Sequence, residues 1–342
     1  MSVLWRLFGI DRRKNSKVRY FASAALWALV PHCIKKARRR RLDKWYDGLP
    51  DAEKVYISSR VNYYNKLQGT EKFEDAEGFG ACALRDNKLG AHLNGHRSGS
   101  AYVIDSRRIC DAFDQRLMAS FCFGDVTAVP PIPSIVKSRP TGDDNRCSVL
   151  LKLDAARHFV FIDRDPYAFR EKKDMLIGMA YIGQPHRRRF YGMYFGHPLC
   201  RLGNIRRGDK EHPEWEAPPI CIDEHLRYKF ILCLEGHDVA TNLKWVMSSN
   251  SLAVMPRPKY ETWFMEGTLV PNRHYVEIAA DYSDLEERLR YYIAHPDEAE
   301  AIIANAHRYV EQFKGHSRRE ELIGYKTLEK YFRMTGQDAP RD

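Results

Sequence analysis

The sequence predicts an α/β protein with a parallel sheet covered by helices on both faces. Three observations predict it. Apolar runs of strand length, at residues 175–182, 228–234, 252–255 and 274–279, punctuate the second half of the chain. Segments of helical character, at 241–249, 283–294 and 296–313, fall between and after them. The run Tyr228-Lys-Phe-Ile-Leu-Cys-Leu234 is apolar enough to be buried on both faces, as the central strands of parallel sheets are. Strands alternating with helices at this spacing form βαβ units, and those require parallel pairing.

Bulk properties set the frame. The chain has 342 residues, which at about 100–200 residues per domain implies two domains. Apolar residues make up 44% and charged residues 29%, an ordinary globular balance that excludes a disordered chain. The formal net charge of +10 favours anionic partners: nucleic acid, anionic lipid or a phosphorylated substrate. Eight cysteines form no CxxC pair and no zinc-ligand spacing, so they read as reduced thiols of a cytosolic protein.

Residues 1–45 join an apolar run, Phe21-Ala-Ser-Ala-Ala-Leu-Trp-Ala-Leu-Val30, to a basic cluster, Lys35-Lys-Ala-Arg-Arg-Arg-Arg41. The uncharged stretch 20–34 contains Pro31 and falls short of the roughly 20 residues of a spanning helix. No small-residue cleavage site follows it, so it is not read as a signal peptide. Apolar side chains beside dense cations suit an interfacial anchor on an anionic membrane. The same pattern also describes an ordinary N-terminal helix with a solvated basic end.

Residues 50–120 mix short helical and strand-like pieces. Gly78-Phe79-Gly80 follows an acidic stretch rather than a strand, so it reads as a turn and not as a dinucleotide loop. At 121–133 an apolar strand ends at Gly124, Asp125 follows, and a proline-rich loop continues. Functional groups in open α/β sheets sit at such strand ends. The polar stretch 163–174 reads as an interdomain linker, with Asp163-Arg164-Asp165 inside it rather than at a metal site. Ser283, before Asp284, Glu286 and Glu287, marks a helix start with acids at the positive dipole end.

Three segments carry chemistry. In Leu234-Glu235-Gly236-His-Asp-Val-Ala-Thr241-Asn242-Leu-Lys244 a buried strand ends in an acid and a glycine before a helix opens. Free N–H groups at that helix start, with Lys244 nearby, suit a diphosphate; a plain strand–loop–helix turn has the same pattern. Gly183-Gln-Pro-His186-Arg187-Arg-Arg189 supplies arginines for phosphate, of which one or two at most can face a single site. Glu261, after the strand at 252–255, is either an acceptor for ribose hydroxyls or a helix-start acid. No zinc-protease, Walker A, nucleophile-elbow or kinase signature is present.

These residues resemble glycosyltransferase family 90. The resemblance lies in 228–245, 252–258, 260–267, 271–274 and 282–285. It extends to Arg60-Val-Asn-Tyr-Tyr-Asn-Lys-Leu67, Gly124-Asp-Val-Thr127, Ile135-Val-Lys-Ser-Arg-Pro140 and Pro185-His-Arg187, and covers residues 55–315. The bacterial branch, lipopolysaccharide core glycosyltransferases, is the most similar; protein O-glucosyltransferases and capsule-associated xylosyltransferases are related. The family implies a GT-B fold, two Rossmann-like domains facing across a cleft. Residues 46–170 would then be the acceptor-side domain and 171–315 the nucleotide-sugar domain, with 1–45 membrane-proximal and 316–342 a C-terminal helix and tail.

The resemblance also implies the reaction: inverting, metal-independent transfer of a sugar, glucose or galactose, from a UDP-sugar to a hydroxyl of lipopolysaccharide core or another lipid-linked glycan. The enzyme would work at the cytoplasmic face of a bacterial inner membrane. Asp125 falls where the family has its catalytic base. His186, Arg187, Glu235, Gly236, Thr241, Asn242, Lys244 and Glu261 fall on its donor side, with no metal ligand and no cofactor. Eukaryotic members carry Arg where this chain has Asn242, which shifts the expected phosphate contacts towards Lys244 and Arg187. The competing readings are a GT-B transferase with a protein or other acceptor, and a non-catalytic basic protein that binds membrane or nucleic acid. No nucleic-acid-binding motif supports the last.

Overall fold

The structure, a computed structural model, describes residues 15–69, 79–89, 92–94, 96–97 and 99–337. Residues 1–14 of the N-terminal segment and Gly78 of the expected turn lie outside them. The first half of the chain forms helices α1 (Lys17–Leu29), α2 (His32–Asp47) and α3 (Asp51–Tyr64), strand β1 (Cys82–Ala83), helix α4 (Ser100–Cys110), and strands β2 (Met118–Cys122), β3 (Ser134–Val136), β4 (Ser138–Pro140) and β5 (Ser148–Leu150). Then come β6 (Lys173–Ala180), α5 (Pro185–Tyr194), β7 (Cys200–Asn204), β8 (Tyr228–Leu232), α6 (Leu243–Met247), β9 (Leu252–Met255), β10 (Tyr260–Thr262) and β11 (Val276–Glu277). Helices α7 (Leu285–Ala294), α8 (Pro296–Val310) and α9 (Ser317–Met334) follow.

Two compact units result. The N-terminal unit comprises Lys17–Ala156, Lys259–Gly267 and residues 315–337; the C-terminal unit comprises residues 15–16, Arg157–Pro258 and Thr268–Lys314. The chain therefore passes between units five times, and the two units are interleaved in sequence rather than consecutive stretches. The segment 163–174, expected as a linker, lies inside the C-terminal unit. The buried Asp165 carboxylate there accepts from Lys172 Nζ at 2.8 Å and from the Asn250 backbone N–H at 2.8 Å, which ties the segment to the sheet.

The C-terminal unit carries a five-stranded sheet in the order β7-β6-β8-β9-β11, parallel throughout. All five residues of β8 are buried, as expected for a central parallel strand. Leu176, Ile177, Phe230, Val254 and Val276 form its nearly waterless centre. Strand β7 was not legible as a strand, because Cys200-Arg-Leu-Gly-Asn204 alternates too weakly to stand out. Helix α7 starts at Leu285 rather than Ser283. The Ser283 hydroxyl instead donates to Asp281, and Asp284 accepts the Ala279 N–H at 2.7 Å, so both side chains tie the preceding turn.

The N-terminal unit holds a second sheet in the order β1-β2-β3-β5, with β2, β3 and β5 parallel and β1 an antiparallel edge. A separate antiparallel ladder pairs β4 with β10, setting Arg139 opposite Glu261. Helix α9 buries Leu322, Ile323, Tyr325, Leu328, Tyr331 and Phe332 here. The Tyr331 hydroxyl accepts from the Ser120 N–H at 3.0 Å and donates to the Pro133 carbonyl at 2.9 Å, pinning helix to sheet. The C-terminal helix is thus part of this core rather than an appendage.

Candidate functional site

The C-terminal sheet defines a site by its strand order. Numbered by sequence within the sheet, it runs 2-1-3-4-5, so the winding reverses between β6 and β8. At such a switch point the loops beyond the two strand ends diverge and leave a crevice, where ligands of doubly wound sheets bind. Beyond β6 the chain enters α5 through Gln184, in an extended N-cap conformation, and Pro185, whose fixed φ and missing N–H suit the first helical turn. That start places His186 and Arg187 at the crevice.

Arg187 braces the two strand ends. Its Nε donates to the Glu235 carbonyl at 2.8 Å, Nη2 to the Leu234 carbonyl at 2.8 Å, and Nη1 to the Tyr181 carbonyl at 2.9 Å. His186 Nε2 donates to the same Glu235 carbonyl at 2.8 Å. The planar fork of donors on three separate nitrogens spans these three carbonyl oxygens at once. All three acceptors are neutral, and among the described residues no carboxylate pairs with this half-buried guanidinium. Burial accordingly pulls its pKa below the usual arginine value. The two neighbouring arginines go elsewhere: Arg188 pairs with Asp209 and Glu211, and Arg189 is exposed.

The structure places the rest of the expected donor loop beside this brace, with different roles. Glu235 and Gly236 are half-buried, and a Cβ added to Gly236 would lie 3.5 Å from Arg187 Nη2. Thr241 and Asn242 are half-buried before α6. Helix α6 has only five residues, too short for the expected anion site at its start. Asn242 does not cap it; its Nδ2 donates back to the Leu232 carbonyl at 2.9 Å and fixes the end of β8. Lys244 is fully buried, with Nζ 5.7 Å from the centroid of the Phe159 ring, so it supports the loop from beneath.

In the N-terminal unit, Asp125 follows the end of β2 through Gly124, whose φ of +120° is open to glycine. Asp125 forms a salt bridge with Lys137, which follows the end of the neighbouring parallel strand β3; its side chain is 28% exposed while that of Lys137 is 1% exposed. The carboxylate thus faces outward on a buried cation. Two residues further on, Arg139 is fully buried and donates to Glu261 Oε1 at 2.7 Å, the Tyr63 carbonyl at 2.7 Å and the Ser148 carbonyl at 3.0 Å. The Tyr63 hydroxyl donates to Glu261 Oε2. A Cβ on Gly267 would lie 2.6 Å from that oxygen, so glycine is required there.

Glu261, 2% exposed, is therefore locked between Arg139 and Tyr63 within the N-terminal unit, whereas His186, Arg187, Glu235, Gly236, Thr241, Asn242 and Lys244 belong to the C-terminal unit. Lys137, Arg139 and Tyr63 went unassigned on sequence. The available signal was two cations at i and i+2 within the buried run Ile135-Val-Lys-Ser-Arg139, where alternation puts both on one face.

The expected basic anchor is altered as well. Lys35 is buried against Asp111 at 2.8 Å, and Arg38 pairs with Glu321. Helix α1, by contrast, buries none of its residues and leaves Val18, Phe21, Leu26 and Leu29 exposed. Among the described residues, no helix is long and apolar enough to cross a membrane.

A parallel α/β sheet whose strand order reverses between β6 and β8, with the Arg187 cation at that switch point, defines the class of α/β ligand-binding folds. Comparison with known proteins narrows this. Residues 202–320 match the pattern described as glycosyl transferase family 90. The chain is 37% identical over 324 residues to "O-glucosyltransferase LpsA" of Dichelobacter nodosus, covering 94% of this chain and 97% of that protein. It is 31% identical over 173 residues to "Uncharacterized protein 035R" of Invertebrate iridescent virus 3, covering 42% of this chain and 15% of that protein. The chain belongs to glycosyl transferase family 90 and is a glycosyltransferase.

Proposed function

We propose that this enzyme transfers a hexose, glucose in first place, from a UDP-sugar to a hydroxyl of a lipopolysaccharide core or related lipid-linked glycan, with inversion and without a metal. The observation that carries the reading is Arg187: a half-buried guanidinium at the switch point, held by three neutral carbonyls. Two of its five N–H groups remain for a ligand. A diphosphate supplies the missing negative charge, and the interaction strengthens as the leaving group gains charge in the transition state. Glucose is favoured over galactose because the Dichelobacter nodosus relative is an O-glucosyltransferase.

In this reading the arrangement is of the GT-B kind, with the donor on the C-terminal unit and the acceptor on the N-terminal unit. Asp125 takes the proton of the acceptor hydroxyl, whose oxygen attacks the anomeric carbon as the bond to UDP breaks. Lys137 fixes one carboxylate oxygen and leaves the other to the substrate. A single displacement inverts the anomeric centre. The apolar residues of α1 serve as a peripheral membrane contact on the cytoplasmic face, since Lys35 and Arg38 are spent in the fold.

The test is thermal stabilisation of the purified protein by UDP, UDP-sugars and GDP-mannose, with and without EDTA. A ligand that binds only the folded state raises the melting temperature. A rise with UDP or one UDP-sugar that survives EDTA is expected, and no rise with any nucleotide would overturn the donor assignment. Asp125→Asn lowers kcat by about 10²–10⁴-fold while UDP affinity is retained; near-normal turnover would remove Asp125 from the role of base.

A further inference from the structure

The N-terminal unit contains a partly open cavity of about 560 Å³ lined by Asn62, Lys66, Gln68, Asp143, Arg146 and Lys330. The volume is that of a small-ligand site. Every lining residue is polar, which suits neither a lipid chain nor an apolar ring. Three cations face one carboxylate.

Lys137, Arg139 and Arg60 are each matched by a carboxylate: Asp125, Glu261 and Glu320. In the cavity, Lys330 Nζ is held by Asn62 Oδ1 at 2.8 Å and the Asn65 carbonyl at 2.7 Å, and Lys66 Nζ by the Gly142 carbonyl at 3.2 Å. All three acceptors are neutral. Arg146 has no hydrogen bond or salt bridge among the described residues, and no salt bridge joins Asp143 to any of the cations. Burial lowers the pKa of both lysines; Arg139 adds to the effect at Lys66, against the opposing Glu261 and Asp143 carboxylates, and Arg333 adds to it at Lys330. The site is thus polar, with three lining cations against one lining carboxylate.

We infer that this cavity is an oxyanion subsite that binds a phosphate or carboxylate carried by a sugar residue of the acceptor glycan. Lys66, Arg146 and Lys330 meet the oxyanion, and the amides of Asn62 and Gln68 suit ring hydroxyls. Its place in the fold fits an extended acceptor. Strand β4 runs from Lys137, which holds Asp125, towards Gly142, which holds Lys66. Five residues of extended chain span at most about 18 Å. The charged residue of the acceptor therefore lies a few sugar rings from the hydroxyl that reacts.

This inference rests on the proposed glycan acceptor, and the experiment separates the two. Wild-type protein and Arg146→Glu are titrated with inorganic phosphate and with glucuronate, following binding by calorimetry. Arg146 is exposed and unpartnered, so the variant folds. Saturable binding of a probe is expected, weakened about tenfold or more by Arg146→Glu. The tighter probe assigns the source: phosphate a phosphorylated sugar, glucuronate an acid sugar. In turnover, Arg146→Glu reduces the preference in kcat/KM for an anionic acceptor over its neutral counterpart by a similar factor. Failure of both probes to saturate, or equal affinity in wild type and variant, overturns the subsite. Wild-type protein without transferase activity strikes the proposed function alone, and the titration still decides the cavity.

Discussion

Glu261→Gln separates two roles for one carboxylate. The sequence resemblance puts Glu261 on the nucleotide; the structure holds it between Arg139 and Tyr63, directly across the β4–β10 ladder. Glutamine keeps the shape and removes the charge, leaving the Arg139 guanidinium fully buried without its anion. Removing one partner of a buried pair costs about 3–5 kcal/mol. At about 2–4 °C per kcal/mol for a unit of this size, melting falls by roughly 10 °C. The carbonyls of Tyr63 and Ser148 still accept from Arg139, which favours the lower half of the range. The assay is a melting curve paired with calorimetric UDP binding well below the transition. The expected result is a large loss of stability with UDP affinity within about twofold of wild type, under 0.5 kcal/mol. An unchanged melting temperature with a tenfold loss of UDP affinity, about 1.4 kcal/mol, would refute the anchoring role and restore the ribose contact.

Three further outcomes are expected. Arg187→Lys keeps the charge but satisfies about one of the three carbonyls, so it weakens UDP binding nearly as much as Arg187→Ala, by about tenfold or more; full rescue by lysine would mean the fork is irrelevant. Burial raises the pKa of Asp105 from 3.8 to about 6, against the opposing hydrogen bonds from the Ala155 N–H and the Tyr20 hydroxyl. The folded state then holds the proton more tightly, so this stabilising term is complete below pH 3.8 and is lost as pH rises through about 6, a difference of about 3 kcal/mol. Urea denaturation of Asp105→Asn between pH 4 and 7 should show a correspondingly flatter profile, and an unchanged slope would refute the assignment. Leu26→Glu with Leu29→Glu on α1 reduces sedimentation with anionic vesicles, and unaltered partitioning would count against the anchor.

The sequence by itself determined the parallel α/β character of the C-terminal unit. Residues 228–234 and 252–255 are continuous apolar runs, and a strand buried on both faces admits nothing else. It also placed Asp125, Glu235 and the Pro185-His-Arg187 turn shortly after strands, where backbone turns outward. What those side chains do was decided only by tertiary structure. A charged residue in a sequence looks available to a ligand until its partners are known. Lys244 is sealed under the loop, Glu261 is consumed by Arg139, Lys35 by Asp111, and Asn242 by a backbone carbonyl. Those partners lie up to 122 residues away, as Arg139 does from Glu261, and no local pattern encodes such pairings. The same holds for the interleaved units and for α9. Helical periodicity marks an apolar face, but only packing selects the sheet that covers it.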